Sequence, residues 1–369
     1  MVGNGTPTPD YEASQQACAL YDFLIEAVIM GILCLFGFCG NTMSMICLSK
    51  DKSKTATPFL LISLEVADTL FLVTVLILRV LTSIHTFSDA MPSLQEAFPY
   101  LAKFIFPCAL ISETATIYLT LLVTVNRYIS VCMPYEASDL CSMQHARKHV
   151  ILVSFFSIIY NIPRFFEYSV TTQWDSHTNS TMPASRNTPL GENKIYQIVY
   201  GNVLYFLVMF LLPLATLIIL NYKLIVALRK TKKKRAQLLR GNSESAQSRS
   251  EDDITLVLIV VVLVFVVCQM PALITQVLLT LYNRPARLCP TAIFYYERIS
   301  DMLVVANSSL NFLIYCFCST KFRHILIHLV CPRSLEAGAT PEPSHVNQKT
   351  GYKQVAGGTA ANGTRASVV

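Results

Sequence analysis

The sequence predicts an all-α protein: a seven-transmembrane helix bundle with a short amphipathic cytoplasmic helix after the seventh span. Three observations carry this reading. First, 53% of the 369 residues are hydrophobic and only 14% are charged, whereas soluble domains carry about 25% charge. Together with a mean hydropathy of +0.47, that is more apolar surface than one water-facing domain can bury. Second, the apolar residues gather into seven segments, each near or above the roughly 20 residues that cross a bilayer core. Third, Lys and Arg crowd into only some of the connecting loops, which is the pattern that orients membrane helices.

The segments fall at about 24–48, 57–82, 99–131, 149–170, 196–228, 254–281 and 295–318. The third and fifth are long enough to tilt or to project beyond the membrane. Pro107, Pro163, Pro213 and Pro271 lie inside them and are expected to mark kinks, which membrane helices tolerate. Lys50, Lys52 and Lys54 follow the first segment, and "LRKTKKKRAQLLR" follows the fifth. These basic loops predict an extracellular N-terminus and a cytoplasmic C-terminus. The sequons at Asn4 and Asn179 fall on the expected outer side and are candidate glycosylation sites. No basic n-region with an apolar h-region opens the chain, so the first span is expected to act as its own insertion signal.

After the seventh segment, "KFRHILIHLVCP" places Phe322, Ile325, Leu326 and Leu329 on one helical face. That pattern predicts an interfacial helix with Cys331 as a palmitoylation candidate. Residues 1–22 are thus expected to form an extracellular segment, 23–331 the membrane domain and 332–369 a disordered tail rich in small residues. Most of the twelve cysteines lie within apolar runs, where they act as small hydrophobes. No pair or cluster has zinc spacing.

Ionisable residues inside the membrane cost about 2.5–3.5 kcal/mol each, so each needs a partner or a role. Asp68 sits in the second segment, Thr116 in the third, and Asn307, Ser308 and Asn311 in the seventh. Their oxygens suit a hard cation such as sodium, or a purely structural network. Glu113 precedes Arg127 by fourteen residues, about 21 Å of helix toward the outer face. Two readings of Glu113 stand side by side: an internal salt bridge to Arg79, or an outward cavity where it meets a cationic ligand group. Glu297 and Asp301, at i and i+4, would add negative charge near that mouth.

Several motifs occur in order and in the right spans. They are Gly40-Asn41, Asp68, "NRY" (Asn126, Arg127, Tyr128), Pro213, "CQMP" (268–271) and "NSSLNFLIY" (307–315). With them, the chain over about residues 22–331 resembles a rhodopsin-like G-protein-coupled receptor. "VCMPYEASDLC", "SIIYNIPRFFE" and "KFRHI" further resemble invertebrate FMRFamide-type neuropeptide receptors. Departures from the family pattern are plain. Gln269 replaces a tryptophan, Phe312 a proline, Asn126 an acid, and Ala102 the usual cysteine of the third span. The resemblance then implies that the remaining outer cysteines, Cys18 and Cys289, pair and tie the N-terminus over the seventh span.

The resemblance also implies a peptide ligand. Ala109 stands where amine receptors carry an aspartate, and no retinal-binding lysine lies within 295–318. Arg79, Glu113, Gln269, Glu297 and Asp301 are the expected ligand contacts. Arg127, Asn221, Tyr222 and Tyr315 are the expected switch residues toward a heterotrimeric G protein. Asn126 cannot supply the acid that usually restrains such an arginine. Glu251, twenty residues before Pro271 and so about 30 Å along a helix, is the expected substitute, with Asp252 in reserve. Tail sites Ser344, Thr350, Thr359 and Thr364 suit a receptor kinase and then arrestin. Ser367–Val369 fits a PDZ domain. No enzyme constellation, cofactor other than a candidate allosteric sodium ion, or nucleic-acid partner is expected. A small-molecule receptor and a membrane transporter are the alternatives, although no repeat relates the two halves.

Overall fold

The computed structural model describes residues 9–51, 55–88, 92–175, 180–238, 260, 263–278 and 289–330. Five of its helices are long and apolar enough to cross a membrane: Ala13–Ser49, Thr57–Ser88, Glu96–Cys132, Met143–Phe166 and Lys194–Lys230. A bent pair, Ala292–Ser309 and Asn311–Cys318, forms another span. The shorter apolar helix Leu263–Leu278 occupies the sixth place in chain order.

Several helices run beyond their apolar cores because polar ends can continue helical once they leave lipid. Span one continues from a helix that begins at Pro9, so part of the segment assigned to 1–22 belongs to the same helical rod. Span two runs to Ser88 rather than 82, and the third helix starts at Pro92 rather than 99. The expected fourth segment is shifted: the helix begins at Met143 rather than 149 and ends at Phe166 rather than 170. It tightens into a 3-10 turn at Ile162–Phe166, around Pro163, and the chain then turns into a strand. Strands β1 (Tyr168–Asp175) and β2 (Ser180–Asn187) form an antiparallel hairpin, an element the apolar pattern concealed.

The seventh span bends by 50° between Ser309 and Asn311, at Leu310, where no proline stands. A Cβ on Gly40 would lie 2.9 Å from the Cβ of Phe312. The glycine of span one therefore makes room for the phenylalanine that replaces the usual proline. Helix Thr320–Val330 follows, and its Phe322 is buried against Tyr315 and Phe312. A short helix, Pro134–Leu140, links spans three and four.

The core is layered. Met30, Phe71, Leu72 and Val305 join spans one, two and seven. Ile117, Met209, Leu217 and Phe265 join spans three, five and six, and Phe265 is the largest fully buried side chain among the described residues. Many large apolar residues point outward instead, among them Leu35, Ile151, Phe155 and Val267, as helices solvated by lipid require.

Candidate functional site

A cavity of about 680 Å³ opens among spans two, three, five, six and seven, beside the hairpin. Its volume falls within the roughly 300–1,000 Å³ of ligand sites. Arg79, Glu113, Glu297 and Asp301 all line it, so four of the five expected ligand contacts converge. The fifth, Gln269, is buried in span six and is not among the lining residues.

The Arg79 guanidinium donates to Asp301 at 2.6 Å and to Glu26 at 3.1 Å. Arg298 continues the chain of charges, with Nε 2.7 Å from Asp22 and 3.1 Å from Glu26. Spans one, two and seven are thereby laced together beside the cavity. The expected pairing of Arg79 with Glu113 is not the one observed, because Asp301 and Glu26 take the guanidinium. Glu113 has no hydrogen bond or ion pair with any described residue. It is a carboxyl group in the wall of a cavity whose guanidiniums are engaged elsewhere.

Arg164 is the other such guanidinium. It pairs with Glu167 at 2.9 Å and lies over the Tyr200 ring at 4.8 Å. The Tyr196 hydroxyl donates to the same Glu167 carboxylate at 2.7 Å. Glu26, Arg298, Arg164 and Glu167 were not singled out from sequence. The usable signal was their position: charged residues within or at the edge of apolar segments.

Cys18 and Cys289 are joined by a disulfide, with Cα atoms 6.3 Å apart. The Tyr21 hydroxyl donates to the Tyr295 carbonyl at 3.1 Å. The start of the first helix is therefore anchored to the start of the seventh span.

Midway through the bundle, Asp68 is fully buried. It accepts hydrogen bonds from Thr116 Oγ1 at 3.1 Å and from Asn311 Nδ2 at 2.7 Å. Ser308 is buried, and its carbonyl accepts from Asn41 Nδ2 at 3.2 Å. Asn307 makes no hydrogen bond to this group among the described residues. One turn before Asp68, Glu65 is fully buried beside Tyr315, and among the described residues neither of its carboxyl oxygens makes a hydrogen bond of good geometry; it went unnoticed in the sequence.

At the end opposite the disulfide, Arg127 is half-buried and forms no ion pair with a described residue. Asn126 is buried with Nδ2 3.4 Å from Thr57 Oγ1. Tyr128 lies beneath the Lys223 ammonium, 5.9 Å from the ring centre. Asn221 and Tyr315 are buried, whereas Tyr222 is 68% exposed and faces away from the bundle. Asn4, Asn179, Glu251, Asp252, Cys331, the four tail hydroxyls and Ser367–Val369 lie outside the described residues.

Comparison with known proteins agrees with this geometry. The pattern of the 7 transmembrane receptor (rhodopsin family) matches residues 40–315. The FMRFamide receptor of Drosophila melanogaster is 28% identical over 315 residues, covering 85% of this chain. The chain spans only 55% of that relative's length. An FMRFamide peptide receptor of Caenorhabditis elegans is 25% identical, covering 88% of this chain and 72% of its own. Somatostatin receptor type 1 of Rattus norvegicus is 28% identical, with 84% and 72% covered. The chain belongs to the rhodopsin family of seven-transmembrane receptors, a family of receptors and not of enzymes.

Proposed function

We propose that this chain is a plasma-membrane receptor for an amidated, FMRFamide-like neuropeptide and signals through a heterotrimeric G protein. The N-terminus is extracellular and the C-terminus cytoplasmic in this reading. The observation that carries it is Glu113, a carboxyl group that lines the cavity and has no hydrogen bond or ion pair among the described residues. A guanidinium or ammonium of the ligand supplies the missing partner through charge-assisted hydrogen bonds. Glu297 and Asp301 add negative potential, and Arg79 holds Asp301 in place at 2.6 Å. The names of the two invertebrate relatives support the same ligand class.

Signalling is a population shift: the ligand binds more tightly to the state in which span six swings outward at the Arg127 end. Asp68, Thr116, Ser308 and Asn311 offer the oxygen donors that would hold a sodium ion, which balances the Asp68 charge when bound. Asn307 contributes to that set by reorienting. Receptor kinase, arrestin and a PDZ protein act on the tail, and glycans at Asn4 and Asn179 and a lipid at Cys331 complete the arrangement.

The test is a panel of amidated neuropeptides on cells carrying a promiscuous G protein. Response to an Arg-containing amidated peptide is expected, with Glu113→Gln losing about tenfold or more in potency at normal surface expression. Unchanged potency removes Glu113 from the ligand site. Response only to non-peptide compounds would favour the small-ligand alternative. Substrate flux in proteoliposomes without nucleotide exchange on purified G protein would favour a transporter.

A further inference from the structure

Most described glycines are explained by what touches them. A Cβ on Gly37 or Gly40 would fall 2.5 Å from Leu72 or 2.9 Å from Phe312, and one on Gly191 would collide with the Glu167 carbonyl. At Gly31 it would rest 3.5 Å from Val80. Gly201 is different. Nothing lies within 4 Å of the place its Cβ would take.

Its backbone does not require glycine either, because it sits inside the helical segment Val199–Leu204. Glycine weakens a helix relative to alanine, so neither packing nor conformation accounts for it. What its missing side chain provides is space, and that space belongs to the cavity, which Gly201 lines. The bare backbone also serves a contact. Gln276 Nε2, from span six, donates to the Gly201 carbonyl and to Asn202 Oδ1, each at 3.1 Å. Spans five and six are thereby pinned edge to edge while the gap in front of Gly201 stays open.

Along span five, residues 197–205 read QIVYGNVLY and carry no formal charge; Lys194, two turns before Gly201, also lines the cavity. Ile198, Tyr205 and Ala272 bring apolar surface to the cavity. Glu113 and Tyr205 line this same cavity, so the recess belongs to the cavity that holds the position proposed for a ligand cation.

We propose that Gly201 is a specificity-determining position that opens a subsite for one bulky, uncharged ligand side chain, aromatic or long aliphatic. This rests on the peptide-receptor reading and goes beyond it by naming which wall reads ligand size. A side chain at 201 fills the recess, so it excludes large groups while sparing small ones.

The experiment compares wild type, Gly201→Ala and Gly201→Leu at matched surface expression. The probes are FMRFamide and two analogues in which each phenylalanine in turn is replaced by alanine. Gly201→Leu is expected to lose about tenfold or more in FMRFamide potency. It should lose distinctly less with one of the analogues, so that the preference for the large side chain narrows. Equal losses for all three peptides, or no loss, overturn the proposal. If wild type ignores FMRFamide, the ligand reading has failed separately, and a ligand-free arm decides this one. Gly201→Cys should then gain labelling by a membrane-impermeant methanethiosulfonate over the wild-type background. Absence of added labelling overturns the open recess itself.

Discussion

Glu65 is the residue whose environment fits its chemistry least. Its side chain is fully buried one turn from Asp68, and neither carboxyl oxygen makes a hydrogen bond of good geometry to a described residue, although Tyr315 lies beside it. A buried polar group left without good hydrogen bonds costs about 1–3 kcal/mol, which an apolar side chain of similar size would not incur. Glu65→Met is therefore expected to raise the melting temperature of the purified receptor in a thermal-shift assay. A fall would show that Glu65 holds a stabilising contact, with the neighbouring Tyr315 hydroxyl the first candidate. Gly40 makes a second prediction at this scale. With Phe312 Cβ only 2.9 Å from the site of its absent side chain, Gly40→Ala should overpack the bundle and cost about 1–3 kcal/mol. Gly201→Ala, which meets nothing within 4 Å, should be neutral or stabilising in the same assay.

Among elements, the first helix and the seventh span behave as one tethered unit. The Cys18–Cys289 bridge closes a separation of 271 residues, and beneath it Asp22, Arg298, Glu26, Arg79 and Asp301 form a continuous chain of ion pairs. Removing a native disulfide costs about 2–5 kcal/mol in small domains. Cys18→Ala is expected to lower thermal stability and to expose Cys289 to impermeant thiol reagents without reductant. Labelling of both thiols in the unmutated receptor would mean that the bridge does not form in cells. The bend of the seventh span belongs to this scale too. Proline is the familiar cause of such a bend, yet it occurs at Leu310 with phenylalanine at 312. Packing of Phe312 and Tyr315 against Phe322 accompanies it.

For the molecule as a whole, the prediction concerns how the two ends communicate. Arg127 has no ion-pair partner among the described residues, and its expected partner Glu251 lies outside them. If Glu251 restrains Arg127 at rest, Glu251→Ala should raise basal nucleotide exchange on purified G protein in the absence of peptide. Unchanged basal exchange would count against that restraint. Seven spans and their order were legible in the chain because lipid imposes a one-dimensional rule: about 20 apolar residues per crossing; the family was legible only through the motifs that resemble it. The intramembrane polar residues Asp68, Glu113 and Arg79 were legible for the same reason, since each breaks an apolar run. Their partners were not. Arg79 chose Asp301 and Glu26 over Glu113, and Tyr222 turned outward while Asn221 turned in. The hairpin 168–187 was hidden because its first residues extend an apolar segment. Composition and periodicity thus sufficed for the number and order of the spans, which depend on each segment's own transfer energy. Pairing, the open recess at Gly201 and the placement of Glu113 in the cavity wall depend on which helix faces meet, and that is settled only when the whole bundle packs.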